Sequence, residues 1–261
     1  MEITTLNSEN LSIAFLTGTD KSFLLRSLVE QGLNIRVVIL PVKSQREERL
    51  VPVIEIAGKL AIPVLRLRRV ELAAALRSAV CNTLLSAGYP FLLDAVQLGI
   101  VDHNINVHPT LLPRYRGAAT GWHVLAFGEK EGGVTVHRID AGTDTGSILA
   151  QVRVPLTPFD TLRSQSRKND AVEPEAVRLA LVRLCAGDAG DSQLEEAAIS
   201  FNERRTAVDS KVDPNRTIND LYNFIRACDP DRFPAFFEVE GQRVGIRLFR
   251  LDRPAGEEDM I

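Results

Sequence analysis

Cysteine is scarce in this chain. Cys81, Cys185 and Cys228 are odd in number and far apart, which excludes a disulfide framework and the paired spacing of a structural zinc site. Charge of one sign is also missing, with 31 Lys and Arg against 34 Asp and Glu. A basic excess of the kind that holds nucleic acid is therefore absent, and no nucleic-acid partner is expected. No apolar run approaches the length of about 20 residues that spans a bilayer. The opening stretch MEITTLNSEN is polar and acidic, unlike a secretory leader. These absences together predict a cytoplasmic protein with reduced thiols and no membrane partner. Neither a repeat nor a low-complexity tract is visible. The loop Thr17-Gly18-Thr19-Asp20-Lys21 carries one glycine where a dinucleotide fingerprint needs three, so a nicotinamide cofactor is rejected. His103, His108, His123 and His137 have no ligand partners at metal-site spacing, and no metal is expected.

What is present reads as alternating strands and helices. Residues 11–17 (LSIAFLT) form an apolar run of buried-strand type, and Asp20 is placed to cap a helix bearing Phe23, Leu24 and Leu28. Strands follow at 35–40, 62–65 and 79–85, with a helix at 51–60. This alternation predicts a Rossmann-like α/β fold with a mostly parallel, twisted sheet covered on both faces. A helix near 120–127 precedes a hairpin-like pair at 133–139 and 147–154, and Pro174 opens a second of two helices between 160 and 187. The Gly/Asp run at 187–191 marks a boundary, giving a catalytic domain at 1–190 and a C-terminal helix plus β-hairpin appendage at 191–261. In that appendage, residues 217–227 are a capped helix and 236–251 a hairpin about a Glu-Gly-Gln turn.

The chemistry concentrates at 103–146. Asn106 and His108 lie two apart in an apolar run, so on a strand they share a face. Asp144 sits in a Gly/Thr loop directly after the next strand. Each alone has a bland reading, as a satisfied strand residue or a turn former. Together they suit acyl transfer: the amide donates to a developing oxyanion, the imidazole moves a proton, and the carboxylate orients the imidazole. The loop after His108 runs Pro109-Thr110-Leu111-Leu112-Pro113-Arg114-Tyr115-Arg116-Gly117, its two prolines giving it the stiffness a substrate-holding loop needs.

The string N-x-H-P-[ST]-L-L-P-x-Y-R-G, then G-V-T-x-H and D-x-G-x-D-T-G, resembles the enzymes that use 10-formyltetrahydrofolate as formyl donor. That family includes methionyl-tRNA, glycinamide ribonucleotide and sugar-nucleotide N-formyltransferases. The likeness is close over residues 11–156 and looser beyond. It implies Asn106, His108 and Asp144 as the catalytic set and 10-formyltetrahydrofolate as co-substrate. Tyr89, Phe91 and Leu92 would meet the pterin from one side, with Ile139, Asp140 and Gly142 on the other. For Phe91 and Leu92 the start of a core helix is an equal alternative. Whether His108 acts as base or as charged partner of the oxyanion stays open.

The region after 201 outlasts a glycinamide ribonucleotide enzyme, and the connection at 41–60 lacks the basic insertion of methionyl-tRNA enzymes. Thr120 stands where proline is common in the tRNA enzymes. These three features favour a sugar-nucleotide N-formyltransferase acting on a nucleotide-linked 4-amino-4,6-dideoxysugar, GDP-perosamine first, for bacterial surface-glycan or O-antigen synthesis. Methionyl-tRNA formyltransferase is the alternative within this chemistry. A non-catalytic folate- or nucleotide-binding protein is the alternative outside it. Arg114, Tyr115, Arg116 and Gly117, with Arg204 and Arg205 in an R-R-T-x-x-D-S string, are the candidate substrate contacts, because guanidinium pairs well with diphosphate. A solvated charge pair is the bland reading of Arg204 and Arg205. The terminal hairpin needs a surface for its apolar side, either the chain's own catalytic domain or a second subunit, and a homodimer is the expectation.

Overall fold

A computed structural model describes residues 11–44, 46–118, 120–201 and 205–257. Its central sheet runs β3-β2-β1-β4-β5-β7-β8, built from β1 (Ser12–Leu16), β2 (Asn34–Pro41), β3 (Val64–Leu67), β4 (Thr83–Ala87), β5 (His103–His108), β7 (Glu131–Arg138) and β8 (Ile148–Pro155). The short strands β6 (Arg116–Gly117) and β9 (Ser200–Phe201) pair apart from it. Pairings β1–β2, β2–β3, β1–β4 and β4–β5 are parallel, and β5–β7 is antiparallel. The mostly parallel α/β sheet is thus as the alternation of elements predicts.

Both faces of the sheet are covered, which is why its strands read as continuous apolar runs. Ile13 and Phe15 join one buried cluster and their neighbours Ala14 and Leu16 another. Helices α1 (Ser22–Glu30) and α2 (Val51–Lys59) bury Leu24, Leu25, Leu28, Val53 and Ile56 in the first. Helix α3 (Leu72–Ala79) buries Leu72 and Leu76 in the second. Asp20 Oδ1 accepts the Ser22 N–H at 3.0 Å at the entry to α1. Phe23, expected inward, is 53% exposed, and Leu25 takes its place.

Strand order reverses between β1 and β4, and ligands in such sheets bind beyond the carboxyl ends at this point. The two loops there touch. Gly18 N donates to Gly88 O at 3.1 Å. A side chain at Gly18 would meet Pro90 Cδ at 2.6 Å, so only glycine lets the loops approach this closely.

Several boundaries differ from expectation. Residue 79 ends α3 rather than opening a strand, and β4 starts at Thr83, because Val80 turns into the left-handed region at φ +50°. Strand β3 begins at Val64, two residues later than expected. Pro174 does not start a helix: it lies inside α6, which runs unbroken from Leu162 to Cys185. The proline lacks one N–H, while Ala176, Val177, Ala180, Leu181 and Leu184 are buried in the first cluster and hold the helix across it.

Two compact units interleave along the chain. One takes Met1–His108, Val134–Val152 and Val172–Leu194, the other Pro109–Gly133, Arg153–Ala171 and Glu195–Ile261. In the second, α5 (Thr120–Ala126) contributes Val124 and Leu125 to a cluster with Tyr115, Leu156 and Ala227. Helix α7 (Ile218–Ala227) is capped by the Thr217 hydroxyl, which accepts the Asp220 N–H. The hairpin of β10 (Ala235–Val239) and β11 (Gln242–Ile246) turns at Glu240 and Gly241, both at positive φ. Ala235, Phe237, Ile246 and Leu248 pack with Leu221 and Ile225 of α7, so part of the hairpin's apolar side is covered within its own unit. No described helix is long and apolar enough to cross a membrane.

A buried ionic network sits at the start of α6. Asp160, 1% exposed, accepts from Lys168 Nζ at 2.6 Å, Ser164 Oγ at 2.7 Å and Thr157 N at 2.7 Å. Burial works to raise its carboxyl pKa, but these bonds outweigh it and the net shift is downward. Its stabilising contribution is therefore present above the ordinary carboxyl value of about 3.9 and is lost as pH falls through the lowered one. Asp160→Ala should reduce the unfolding free energy at neutral pH by about 3 kcal/mol. In urea titrations the gap between wild type and variant should close below pH of about 4; an unchanged gap at acid pH would contradict the assignment.

Candidate active site

Strand β5 delivers Asn106 and His108 to one face because side chains alternate along it. Its antiparallel register on β7 sets Asn106 opposite His137 and His108 opposite Thr135. Past β7 the chain turns through residues 139–147 and carries Asp144 back over these side chains. His108 Nδ1 lies 3.4 Å from Asp144 Oδ2, and His137 Nε2 lies 3.4 Å from Asp144 Oδ1. Asn106 Nδ2 is 3.2 Å from His137 Nε2. The imidazoles are nearly edge-on, with centroids 6.3 Å apart. Asn106, His108 and Asp144 are thus brought together, and His137 joins them.

His137, the histidine of the G-V-T-x-H string and not among the expected catalytic residues, links the other groups. Its Nδ1 is 2.7 Å from the Arg138 carbonyl, which can only accept, so Nδ1 carries a proton. In the neutral ring Nε2 is then an acceptor and takes one amide hydrogen from Asn106. The signal was the strand pairing: once β5 and β7 are registered, His137 falls opposite Asn106.

The Asp144 loop is tightly held. Asp144 has φ +54°, a conformation an aspartate tolerates better than most residues. Asp140 Oδ1 accepts from Gly142 N at 3.0 Å and Thr145 Oγ1 at 2.6 Å. A Cβ at Gly146 would stand 1.9 Å from the Arg138 carbonyl oxygen. Gln193 Nε2 donates to the carbonyls of Asp144 at 2.9 Å and Gly146 at 2.7 Å. No sequence pattern points to Gln193.

Of the candidate cofactor contacts, Tyr89 and Ile139 pack on the same apolar cluster. The Tyr89 hydroxyl is buried and has no hydrogen-bond partner among the described residues. Phe91 meets the Tyr89 ring edge-on at 5.6 Å and is 41% exposed, and Leu92 is 65% exposed. Neither starts a core helix; α4 (Ala95–Leu98) begins later, capped by Asp94. An orphaned hydroxyl beside exposed apolar side chains suits a flat, polar-edged ring such as a pterin.

The candidate substrate contacts lie in the second unit, several in internal pairs. Arg114 Nη2 contacts Glu129 Oε1 at 2.5 Å and the Tyr115 hydroxyl at 3.1 Å. Tyr115 is buried, and its hydroxyl donates to Glu129 at 2.6 Å. Arg116 is 4% exposed and grips both oxygens of Glu195 at 3.0 and 3.1 Å. Gly117 has φ +96°. The Arg205 guanidinium stacks over Trp122 at 4.3 Å and donates to Ser210 Oγ at 2.8 Å. Arg204 lies outside the described residues. No group of His, Cys, Asp or Glu suited to a metal occurs among the described residues.

The hydrogen bond from His137 Nδ1 has a direct spectroscopic consequence. In nitrogen-15 spectra, neutral His137 should show the Nδ1–H tautomer; finding the proton on Nε2 would overturn the reading of its contact with Asn106.

The chain resembles known proteins in both sequence and fold. It is 30% identical over 200 residues to the methionyl-tRNA formyltransferase of Marinobacter nauticus, covering 75% of this chain and 64% of that protein's length. Its fold superposes on a sugar N-formyltransferase from a Shewanella species with a TM-score of 0.72 at 19% identity, over 91% of this chain and 97% of that one. It also superposes on WlaRD, a sugar 3N-formyl transferase solved in the presence of dTDP and 5-N-formyl-THF, with a TM-score of 0.64 at 20% identity, over 83% of this chain and 78% of that one. Residues 14–181, well over half of the chain, match the family described as "Formyl transferase". With its mostly parallel sheet and the polar cluster at the end of β5, the chain belongs to the formyl transferase family.

Proposed function

We propose that this protein transfers a formyl group from 10-formyltetrahydrofolate to the amino group of a nucleotide-linked 4-amino-4,6-dideoxysugar in the cytoplasm, with GDP-perosamine as first candidate. The observation that carries the chemistry is the cluster of Asn106, His108, His137 and Asp144, in which each Asp144 oxygen faces one imidazole. The acceptor class is supported by the extent of the likeness to the Shewanella sugar N-formyltransferase, which includes the C-terminal region. WlaRD, with its dTDP and formyl-folate ligands, adds support for the pairing of the two substrates. In this reading residues 1–190 form the catalytic domain and 191–261 select the acceptor and support a homodimer.

The donor supplies an electrophilic formyl carbon. Asn106 has two amide hydrogens, one committed to His137 Nε2, and the other serves the negative charge developing on the formyl oxygen. His108 accepts the proton of the attacking amine, its ring turned by Asp144 facing Nδ1. As the carbon–N10 bond of the tetrahedral intermediate breaks, His108 passes the proton it took from the amine to N10, so that tetrahydrofolate leaves neutral while Asp144 keeps the ring turned toward the reacting atoms. Tyr89 and the residue 139–142 turn bind the pterin edge, and Phe91 and Leu92 cover its face.

Methionyl-tRNA formyltransferase is the second reading, favoured by the name of the Marinobacter relative. Only 64% of that relative's length is spanned by this chain. Here the connection from β2 to α2 mixes Lys43, Arg46 and Arg49 with Glu47 and Glu48, without the basic run a tRNA backbone attracts.

Kinetics of variants test the assignment. Asn106→Ala should lower kcat by a factor on the order of 100–1,000 with little change in KM for the sugar nucleotide, because the lost bond forms as charge develops. His108→Ala should behave alike. Near-full activity in Asn106→Ala would remove the oxyanion role.

A further inference from the structure

We infer that Gln193 is a positioning residue for Asp144, acting through a strap of chain at residues 188–193. The inference rests on the formyl-transfer reading for its effect on rate and on the geometry alone for its effect on the loop.

Asp144 can face two imidazoles only while its backbone stays at φ +54°. A left-handed conformation is costly for a residue that carries a Cβ, so neighbouring contacts must hold it. Gln193 supplies two of them. Its amide nitrogen has two hydrogens, one spent on the carbonyl of Asp144 and the other on that of Gly146. A single planar group thus spans the residue that carries the carboxylate and the one two places on. The Arg138 carbonyl also packs closely against Gly146, where even a Cβ would stand 1.9 Å from its oxygen.

Gln193 is itself anchored. Ile148 and Asp191 exchange two backbone hydrogen bonds, each 2.8 Å. Arg138 donates to the carbonyls of Ala189 at 3.1 Å and Asp188 at 2.7 Å, and Ser147 Oγ donates to Ala189 O at 2.5 Å. Arg183, near the end of α6, fastens the strap by pairing with Asp188 at 2.7 Å and Asp191 at 2.8 Å. Gly190 has φ +86°, and a side chain there would meet Ile148 O and Ser147 Oγ at 2.9 Å. The Gly/Asp run that reads as a linker is in fact stitched to the strand ends flanking the Asp144 loop. It ends by presenting a side-chain amide to that loop.

Gln193→Leu keeps the size and removes both donors. It should lower kcat by about tenfold to a hundredfold, with KM for donor and acceptor within about twofold. Amide hydrogen exchange at Thr145, Gly146 and Ser147 should quicken, while exchange in β1 and β4 stays unchanged. Added to Asp144→Ala, the same substitution should cost nothing more, because its effect passes through Asp144. Full activity in Gln193→Leu, or the same fractional loss with Asp144 already gone, would overturn the inference. If the wild-type protein transfers no formyl group, the functional reading falls, and loop exchange alone decides: faster exchange upholds the positioning role and unchanged exchange removes it.

Discussion

The antiparallel register of β5 on β7 is the constraint on which the site depends. It sets Asn106 against His137 and His108 against Thr135. Slipping one strand by a single residue would turn every one of these side chains to the opposite face. The register is held by burial, because Ile105 and Val107 between the polar residues are packed with Val134 and Val136 in the main core. The same alternation that buries these aliphatic residues raises the amide and imidazoles on the other face. Core and chemistry are therefore specified by one pairing.

The carboxylate is the other half of the cluster, and it comes from a loop rather than a strand. Its left-handed backbone costs about 1–2 kcal/mol, and each compensating hydrogen bond returns about 1 kcal/mol net. The bonds from Gln193 and those within the Asp140 turn therefore suffice to fix it. The first unit thus combines a rigid strand platform with a loop made rigid by its neighbours. Candidate substrate contacts in the second unit are ordered differently. Arg114, Arg116 and Arg205 are held by Glu129, Glu195 and Trp122, so a diphosphate would have to share or displace these partners.

Local patterns made much of this legible. The alternation around Asn106 and His108, the apolar runs of β1, β2 and β5, and the Thr217 cap of α7 all depend on residues near in sequence. Features set by distant partners were not legible. His137 needs the register of two strands before it faces Asn106. Arg116 looks like a solvent-facing loop cation, yet it is buried because Glu195, 79 residues on, meets it. Gln193 sits in irregular chain with nothing local to mark it. Two misread boundaries have the same origin. The apolar run at 79–85 suits helix or strand alike, and the turn at Val80 puts a β-branched residue at positive φ, against local preference. At Pro174 a strong local breaker was overruled by the buried stripe of α6. The apolar side of the terminal hairpin, for which a second subunit was one candidate cover, is met in part by α7.

The most direct test of the account is a formyl-transfer assay. The full-length protein is given 10-formyltetrahydrofolate and, separately, GDP-perosamine, its dTDP-linked 4-amino-4,6-dideoxyhexose counterpart, and methionyl initiator tRNA. Release of tetrahydrofolate and formylation of the acceptor are followed together. The account predicts stoichiometric formylation of a nucleotide-linked amino sugar, with kcat/KM above that for the tRNA by a factor of about 100 or more. Formylation of methionyl-tRNA alone, or no transfer to any of the three, would contradict it.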